Sequence, residues 1–142
     1  MQTQNTTMQT TSPELTRVFV YGSLKRGFHN HRFLQGQRFI GEARTQPVYR
    51  LLSFDAYPGM IAADNAGRSI HGEVWEVDAP CKLMLDHLEG VDHGHYRCVE
   101  AMLLPPFTGA PILTYLYARD PARWPDAGDH WNHPSRHGGN VS

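Results

Sequence analysis

The sequence holds little cysteine, no excess of positive charge and no long apolar run. Its two cysteines, Cys81 and Cys98, are too few for a disulfide scaffold and fit no metal-ligand spacing. Lysine and arginine number 13 against 14 acidic residues, which gives a formal net charge of -1. That balance removes the electrostatic reason to expect nucleic acid or an anionic membrane as a partner. The sequence therefore indicates a small-molecule partner.

The sequence predicts neither a membrane-spanning segment nor a signal peptide. No stretch approaches the ~20 apolar residues that cross a bilayer, and the opening "MQTQNTTMQTTSPELT" has neither the basic start nor the apolar stretch of a signal peptide. With reduced thiols, these features predict a cytoplasmic protein. A length of 142 residues is that of one domain. We place a flexible Gln/Thr-rich tail at 1–16, the domain at 17–131 and a loose tail at 132–142.

Short apolar and alternating runs predict six or seven strands. The first, "RVFVY", is apolar enough to be buried on both faces, whereas "YPGM" predicts a turn because Pro58 fixes φ and Gly59 frees it. The other strand candidates are "RFIGEAR", "PVYRLLSF", "SIHGEVWEVD", "YRCVEAMLL" and "PILTYLYA". The expected fold is α+β, with a small, mixed, largely antiparallel, barrel-like sheet and one or two helices.

One helix has clear boundary signals. Asp78 is placed to cap it, Pro80 lies in its first turn, and Gly90 is placed to end it in the left-handed conformation. Its apolar residues recur at the spacing i, i+3, i+4, i+7, which predicts a single buried stripe. That stripe comprises Cys81, Met84, Leu85 and Leu88.

A strand that ends in Tyr21, Gly22, Ser23 and Leu24 leaves successive backbone N–H groups free to form an anion-binding nest. The spacing of the glycines resembles a phosphate loop, but Phe28 and His29 replace the required Lys-Ser/Thr pair. Ser23 as a nucleophile lacks the G-x-S-x-G context. A plain strand-end turn remains the structural alternative.

Glu89 lies where a carboxylate is unfavourable. It borders the apolar stripe, four residues after Leu85, and occupies the last turn, where the helix dipole is negative. Both conditions should raise the pKa of the Glu89 carboxyl, as an acid–base group near neutral pH requires. The alternative is a solvated glutamate at a helix end.

Histidines recur in "HNH" at 29–31, in "HGH" at 93–95, and at His130, His133 and His137. No third ligand follows at a recognisable spacing, so we interpret them as solvated loop residues and expect no metal.

The motifs, taken in order, resemble a known family. "VFVYGSLKRGFHNHRFL", "YPGM", "HGEVWEVD", "LDHLEGVDHGHYRCV" and "TYLYA" occur as in γ-glutamyl cyclotransferase-like proteins, and "YGSLKRG" is most similar to the γ-glutamylamine cyclotransferase branch. The resemblance spans about residues 17–118, with a faint echo at "AGDHW". The "HGH" stretch and the His-rich C-terminus depart from it.

The resemblance implies an enzyme that releases 5-oxoproline from a γ-glutamyl amide without metal or cofactor. It assigns catalysis to Glu89 and substrate binding to the backbone of Tyr21, Gly22, Ser23 and Leu24. Tyr96 and Tyr117 are implied as further pocket residues. The expected assembly is a monomer or weak dimer. Two alternatives stay open: a non-catalytic module that binds a small carboxylate, and an amidase that releases glutamate.

Overall fold

The computed structural model describes residues 14–54, 57–63, 65–122 and 124–131. The expected tail at 132–142 and most of the one at 1–16 lie outside these ranges. Seven strands and one α-helix occur within them: β1 Leu15–Val20, β2 Arg38–Arg44, β3 Tyr49–Phe54, β4 Tyr57–Ala62, β5 His71–Asp78, α1 Ala79–Leu88, β6 Tyr96–Glu100 and β7 Leu113–Tyr117. Two short 3₁₀ turns lie at His31–Leu34 and Val91–His93.

Five of the strands form one sheet in the order β2-β5-β1-β7-β6, and β3 and β4 form a separate hairpin. Every pairing is antiparallel except that between β1 and β7. The mixed, largely antiparallel α+β prediction is therefore confirmed. Barrel-like closure stays a prediction.

Strand β1 lies at the centre of the sheet, where its apolar sequence is needed on both faces. Val18, Phe19 and Val20 are all buried, which confirms the expected doubly buried strand. The strand begins at Leu15, so the last two residues of the predicted tail belong to the sheet instead. Leu15 pairs with Asp78, and Thr16 with Val77.

The prediction of a turn at "YPGM" is wrong, because these residues begin strand β4. Ser53 pairs with Pro58, Leu52 with Gly59 and Leu51 with Met60. Proline donates no ladder hydrogen bond but is tolerated in an edge strand, and each strand of a two-stranded hairpin is an edge. The alignment of β3 with β4 thus overrides the local turn preference.

Alternation along β1 separates two hydrophobic cores. Val18 and Val20 face the helix-side core, which also holds Leu85 of α1, and Phe19 and Tyr21 face the hairpin-side core. Successive side chains of a strand point to opposite faces, so one strand supplies both cores. The turn after β1 consequently lies where the two cores meet.

Helix α1 has the predicted boundaries. The Asp78 carboxylate accepts a 2.9 Å hydrogen bond from the Cys81 amide at the N-terminus, and Gly90 follows the helix with φ 67°. Cys81 and Leu85 are buried. Met84 and Leu88 pack against the same core from partly buried positions, which confirms the predicted stripe.

Candidate functional site

The turn after β1 is enclosed by the rest of the protein. All four residues from Tyr21 to Leu24 are buried. The Lys25 amide donates to the Gly22 carbonyl at 3.1 Å, and the Asn30 amide donates to the Ser23 carbonyl at 3.0 Å. These bonds hold the turn in one conformation.

The hydroxyl of Ser23 is held by the side chain of Asn30, whose Nδ2 donates to Ser23 Oγ at 3.0 Å. Asn30 is itself buried. An amide donor cannot take a proton, so this contact does not activate the hydroxyl as a nucleophile. The contact instead supports a structural role for the Ser23 side chain.

Tyr21 joins three strands. Its hydroxyl donates to the carbonyl of Tyr115 on β7 at 2.7 Å and accepts a 3.1 Å hydrogen bond from the Met60 amide on β4. Both partners are backbone groups in regular strands, so the start of the turn has a fixed position. Tyr21 therefore contributes to the site mainly by placing the backbone that follows it.

Glu89 follows the last residue of α1 and is completely buried, with an exposed fraction of 0%. Its amide donates to the Leu85 carbonyl at 2.9 Å, which continues the helix by one bond. Gly90 then reverses the chain, and an added Cβ there would lie 3.1 Å from the His95 side chain. The alternative of a solvated helix-end glutamate is thus excluded.

The charge of Glu89 acts on two neighbouring side chains. The pKa of Tyr115 is raised, first by burial, then by its hydrogen bond to Asp86 and by nearby negative charges that include Glu89. The pKa of Cys98 is also raised, mainly by burial and to a smaller extent by the negative charge of Glu89. The buried Glu89 carboxyl is therefore near enough to Cys98 of β6 and Tyr115 of β7 to influence both.

The two tyrosines implied by the resemblance lie next to each other. Tyr96 is 1% exposed, and its hydroxyl donates to the Pro58 carbonyl at 2.8 Å. Its ring centroid lies 5.7 Å from that of partly buried Tyr117 in an edge-to-face arrangement. Both rings belong to the helix-side core, together with Leu24 of the turn and Leu88 beside Glu89.

The structure thus brings Leu24, Tyr96, Tyr117 and the end of α1 to one core, and links Tyr21 to that core through Tyr115. Sequence reasoning missed Tyr115, Asn30 and Asp86. Tyr115 lies two residues before Tyr117 in "LTYLY", so period-two alternation places both on one face. This two-residue spacing is the sequence signal that could have identified Tyr115 as a neighbour of Tyr117.

The histidine pairs make other contacts. Nδ1 of His31 lies 3.0 Å from the Leu24 carbonyl, and the His93 and His95 rings are 6.3 Å apart. Across the described ranges, no group of three or more His, Cys, Asp or Glu residues could hold a metal ion. His133 and His137 lie outside those ranges.

An open cavity of about 480 Å³ lies between β2, the start of β5 and residues 104–107. Neither Glu89 nor the turn after β1 is among its lining residues.

Within the described part of the chain, no helix is long and apolar enough to span a membrane.

Comparisons with known proteins agree on one family. The family model described as "Gamma-glutamyl cyclotransferase, AIG2-like" matches residues 18–133. A putative γ-glutamylcyclotransferase of Vibrio cholerae is 43% identical over 98 residues, covering 69% of this chain and 80% of that protein. The γ-glutamylaminecyclotransferase of Homo sapiens is 30% identical over 136 residues, with 83% and 89% coverage.

The fold is also similar to that of a solved protein. The crystal structure of an AIG2-like protein from Mus musculus superposes with a TM-score of 0.70 at 23% identity, covering 91% of this chain and 96% of that one.

Proposed function

Because this chain belongs to the γ-glutamyl cyclotransferase, AIG2-like family, we propose that it cleaves a γ-glutamyl amine or γ-glutamyl amino acid by intramolecular attack. The products are 5-oxoproline and a free amine. The observation that carries this proposal is the complete burial of Glu89 at the end of α1. A carboxyl group removed from water favours its neutral form and can exchange a proton near neutral pH.

The reaction closes a five-membered lactam. The α-amine nitrogen of the substrate forms a bond to its own γ-carbonyl carbon, and the bond from that carbon to the leaving nitrogen breaks. At neutral pH the amine is mostly an ammonium and must lose a proton before it attacks. The attacking nitrogen loses two protons in all, one before it attacks and one as the lactam forms. Glu89 takes each proton in turn and passes it to the departing nitrogen, which leaves as an ammonium, so charge and atoms balance without an oxidant or reductant.

The turn after β1 supplies the second part of the site. Backbone amides of Gly22, Ser23 and Leu24 bind the substrate carboxylate, because amides at the end of a strand form a concave anion site. This anchors the glutamyl chain in the folded form that brings amine and carbonyl together. Such alignment is worth effective molarities of about 10⁵ M or more.

Tyr96 and Tyr117 form the wall of the γ-glutamyl pocket. Tyr96 is fixed by its bond to the Pro58 carbonyl, and the ring of Tyr117 packs against its edge. An apolar wall excludes water, which favours attack by the substrate amine over attack by water. The proposal needs only a small-molecule substrate, and a monomer or weak dimer stays the predicted assembly.

A substrate panel tests the function. The protein is incubated with γ-glutamyl amino acids, the γ-glutamyl isopeptide of lysine and γ-glutamyl alkylamines, and the products are separated by chromatography. The matched control is an α-glutamyl dipeptide. Its α-carboxyl group forms the peptide bond, and its side-chain γ-carboxylate is free.

The expected result is 5-oxoproline from at least one γ-glutamyl compound and none from the control. Release of glutamate in place of 5-oxoproline would identify an amidase. Saturable binding without turnover would identify a binding module. Either outcome contradicts the proposal.

A further inference from the structure

Tyr115 of β7 contacts both parts of the proposed site. Its backbone carbonyl accepts the 2.7 Å hydrogen bond from Tyr21, at the start of the turn. Its side-chain hydroxyl donates to Oδ1 of Asp86 on α1 at 2.6 Å. Tyr115 is completely buried; its bond with Tyr21 is buried as well, whereas the Asp86 side chain that accepts its hydroxyl is 32% exposed.

Asp86 lies on the same stretch of helix as Glu89. The two carboxylates are three residues apart at the end of α1, and residues at that spacing lie on the same face of a helix. The pKa of Tyr115 is raised by burial, by its bond to Asp86 and by the charges of both carboxylates. The phenol therefore stays a hydrogen-bond donor throughout the working pH range.

Lys82 contacts the same acceptor oxygen of Asp86. Its ammonium lies 2.6 Å from the same Asp86 oxygen, one helical turn earlier, and 5.5 Å from the centre of the Tyr115 ring. Hydrogen bonds to ionised groups are shorter and stronger than those between neutral groups. The end of α1 is thus tied to β7 by a side-chain network independent of its apolar packing.

We propose that Tyr115 is the positioning residue of the reaction: it holds the end of α1, and with it Glu89, at a fixed distance from the turn that binds the substrate carboxylate. This inference rests on the proposed function. Tyr115 makes one hydrogen bond on the side of the substrate-binding turn and another on the side of α1. The carbonyl of Tyr115 serves substrate binding through Tyr21, and its hydroxyl serves catalysis through Asp86.

This division predicts how Tyr115→Phe behaves. The variant keeps the carbonyl that accepts from Tyr21 and removes only the hydroxyl that binds Asp86. A small displacement of a catalytic group costs up to about a hundredfold in rate. We expect kcat to fall about tenfold to hundredfold, while KM stays within about threefold of its wild-type value.

The matched control is Tyr49→Phe. Tyr49 is also buried, and its hydroxyl accepts a 3.0 Å hydrogen bond from the Met102 amide. It belongs to the hairpin-side core, away from α1. This variant loses a buried hydroxyl of the same kind and should keep the wild-type kcat.

Asp86 supplies a second test that leaves the aromatic core intact. Asp86→Ala should lower kcat as much as Tyr115→Phe, whereas Asp86→Asn keeps an acceptor oxygen and should recover most of the activity. Because the two residues act as a pair, the double variant should be no worse than either single variant. Additive losses would overturn the proposal, as would a Tyr115→Phe variant no slower than Tyr49→Phe.

Hydrogen exchange measures the positioning without turnover. The amides of Glu89 and Gly90 donate to Leu85 and His87 at the helix end. In Tyr115→Phe they should exchange about five- to tenfold faster, and in Tyr49→Phe they should not change. Equal exchange in the two variants would overturn the proposal. If the wild-type protein makes no 5-oxoproline, the proposed function fails and exchange alone decides the positioning claim.

Discussion

The phenol of Tyr96 donates a 2.8 Å hydrogen bond to the carbonyl of Pro58, so the first residue of β6 is fixed to the second residue of β4. This bond connects an edge of the five-stranded sheet to the separate hairpin. Together with the bond from the Met60 amide to Tyr21, it attaches β4 to the proposed site at two points. Pro58 and Met60 of β4 therefore border the proposed site.

Removing the Tyr96 hydroxyl tests this connection. Tyr96→Phe deprives the Pro58 carbonyl of a buried donor, which costs about 1–3 kcal/mol in the free energy of unfolding. Urea denaturation measures the loss, and KM for the γ-glutamyl substrate should rise because the pocket wall loosens. An unfolding free energy equal to that of the wild type would show that the bond does not hold the hairpin.

Replacing the buried carboxylate tests the proton transfer. Glu89→Gln keeps the shape of the side chain and removes its acid–base function, so kcat should fall by about 10²–10⁴-fold. The control is Glu100→Gln, which changes an exposed glutamate on β6 and should leave kcat unchanged. Production of 5-oxoproline by Glu89→Gln at the wild-type rate would refute the proposed base.

Gly72 of β5 lies against the end of β1. A Cβ at this position would lie 2.5 Å from both Phe19 Cζ and the Val20 carbonyl oxygen, and the backbone atom cannot move aside without disturbing the sheet. Overpacking of this kind costs about 1–3 kcal/mol, so Gly72→Ala should lower the thermal midpoint by several degrees.

Gly109→Ala is the control for that substitution, because an added Cβ at Gly109 has nothing within 4 Å. Equal thermal midpoints for the two alanine variants would show that β5 can shift to accept the methyl group.

Stability at acidic pH depends on Asp126. Burial acts to raise the pKa of this carboxyl, but hydrogen bonds from the Gly128 amide and Arg50, with the charges of Arg50 and Arg68, lower it overall. A lowered pKa in the folded state contributes stability above the unfolded value of about 3.9, and this contribution is lost as pH falls through the folded value.

Asp126→Asn should therefore be less stable than the wild type at pH 7, and the difference should shrink below about pH 4. Urea denaturation at several pH values measures both effects. Asp92→Asn changes an exposed aspartate and should give curves parallel to the wild type. A difference for Asp126→Asn that does not vary with pH would contradict the assignment.

The features predicted correctly are those set by neighbours in sequence. Asp78 and Gly90 mark the ends of α1 by capping chemistry that acts within one helical turn. The apolar run of β1 predicted burial on both faces. The position of Glu89 beside the buried stripe predicted partial burial of its side chain. In the structure the side chain is completely buried.

The features that sequence reasoning missed depend on distant contacts. The "YPGM" segment has a strong local turn signal, but its pairing with β3 places Pro58 in a strand. The hydroxyl of Tyr115 reaches Asp86 across 29 positions in sequence, and no local pattern specifies that pair. The substrate-binding roles of Tyr96 and Tyr117 stay predictions, because their neighbouring rings fit both a pocket wall and ordinary packing.

Strand β1 can complete its parallel pairing only after the β7 segment has been synthesised. The bond between Tyr21 and Tyr115 spans 94 positions, and that between Thr114 and Phe19 spans 95. During synthesis, one edge of β1 has no strand to pair with until the β7 segment has left the ribosome. High contact order of this kind slows folding, so nascent chains stalled before Leu113 should expose β1 to chaperones.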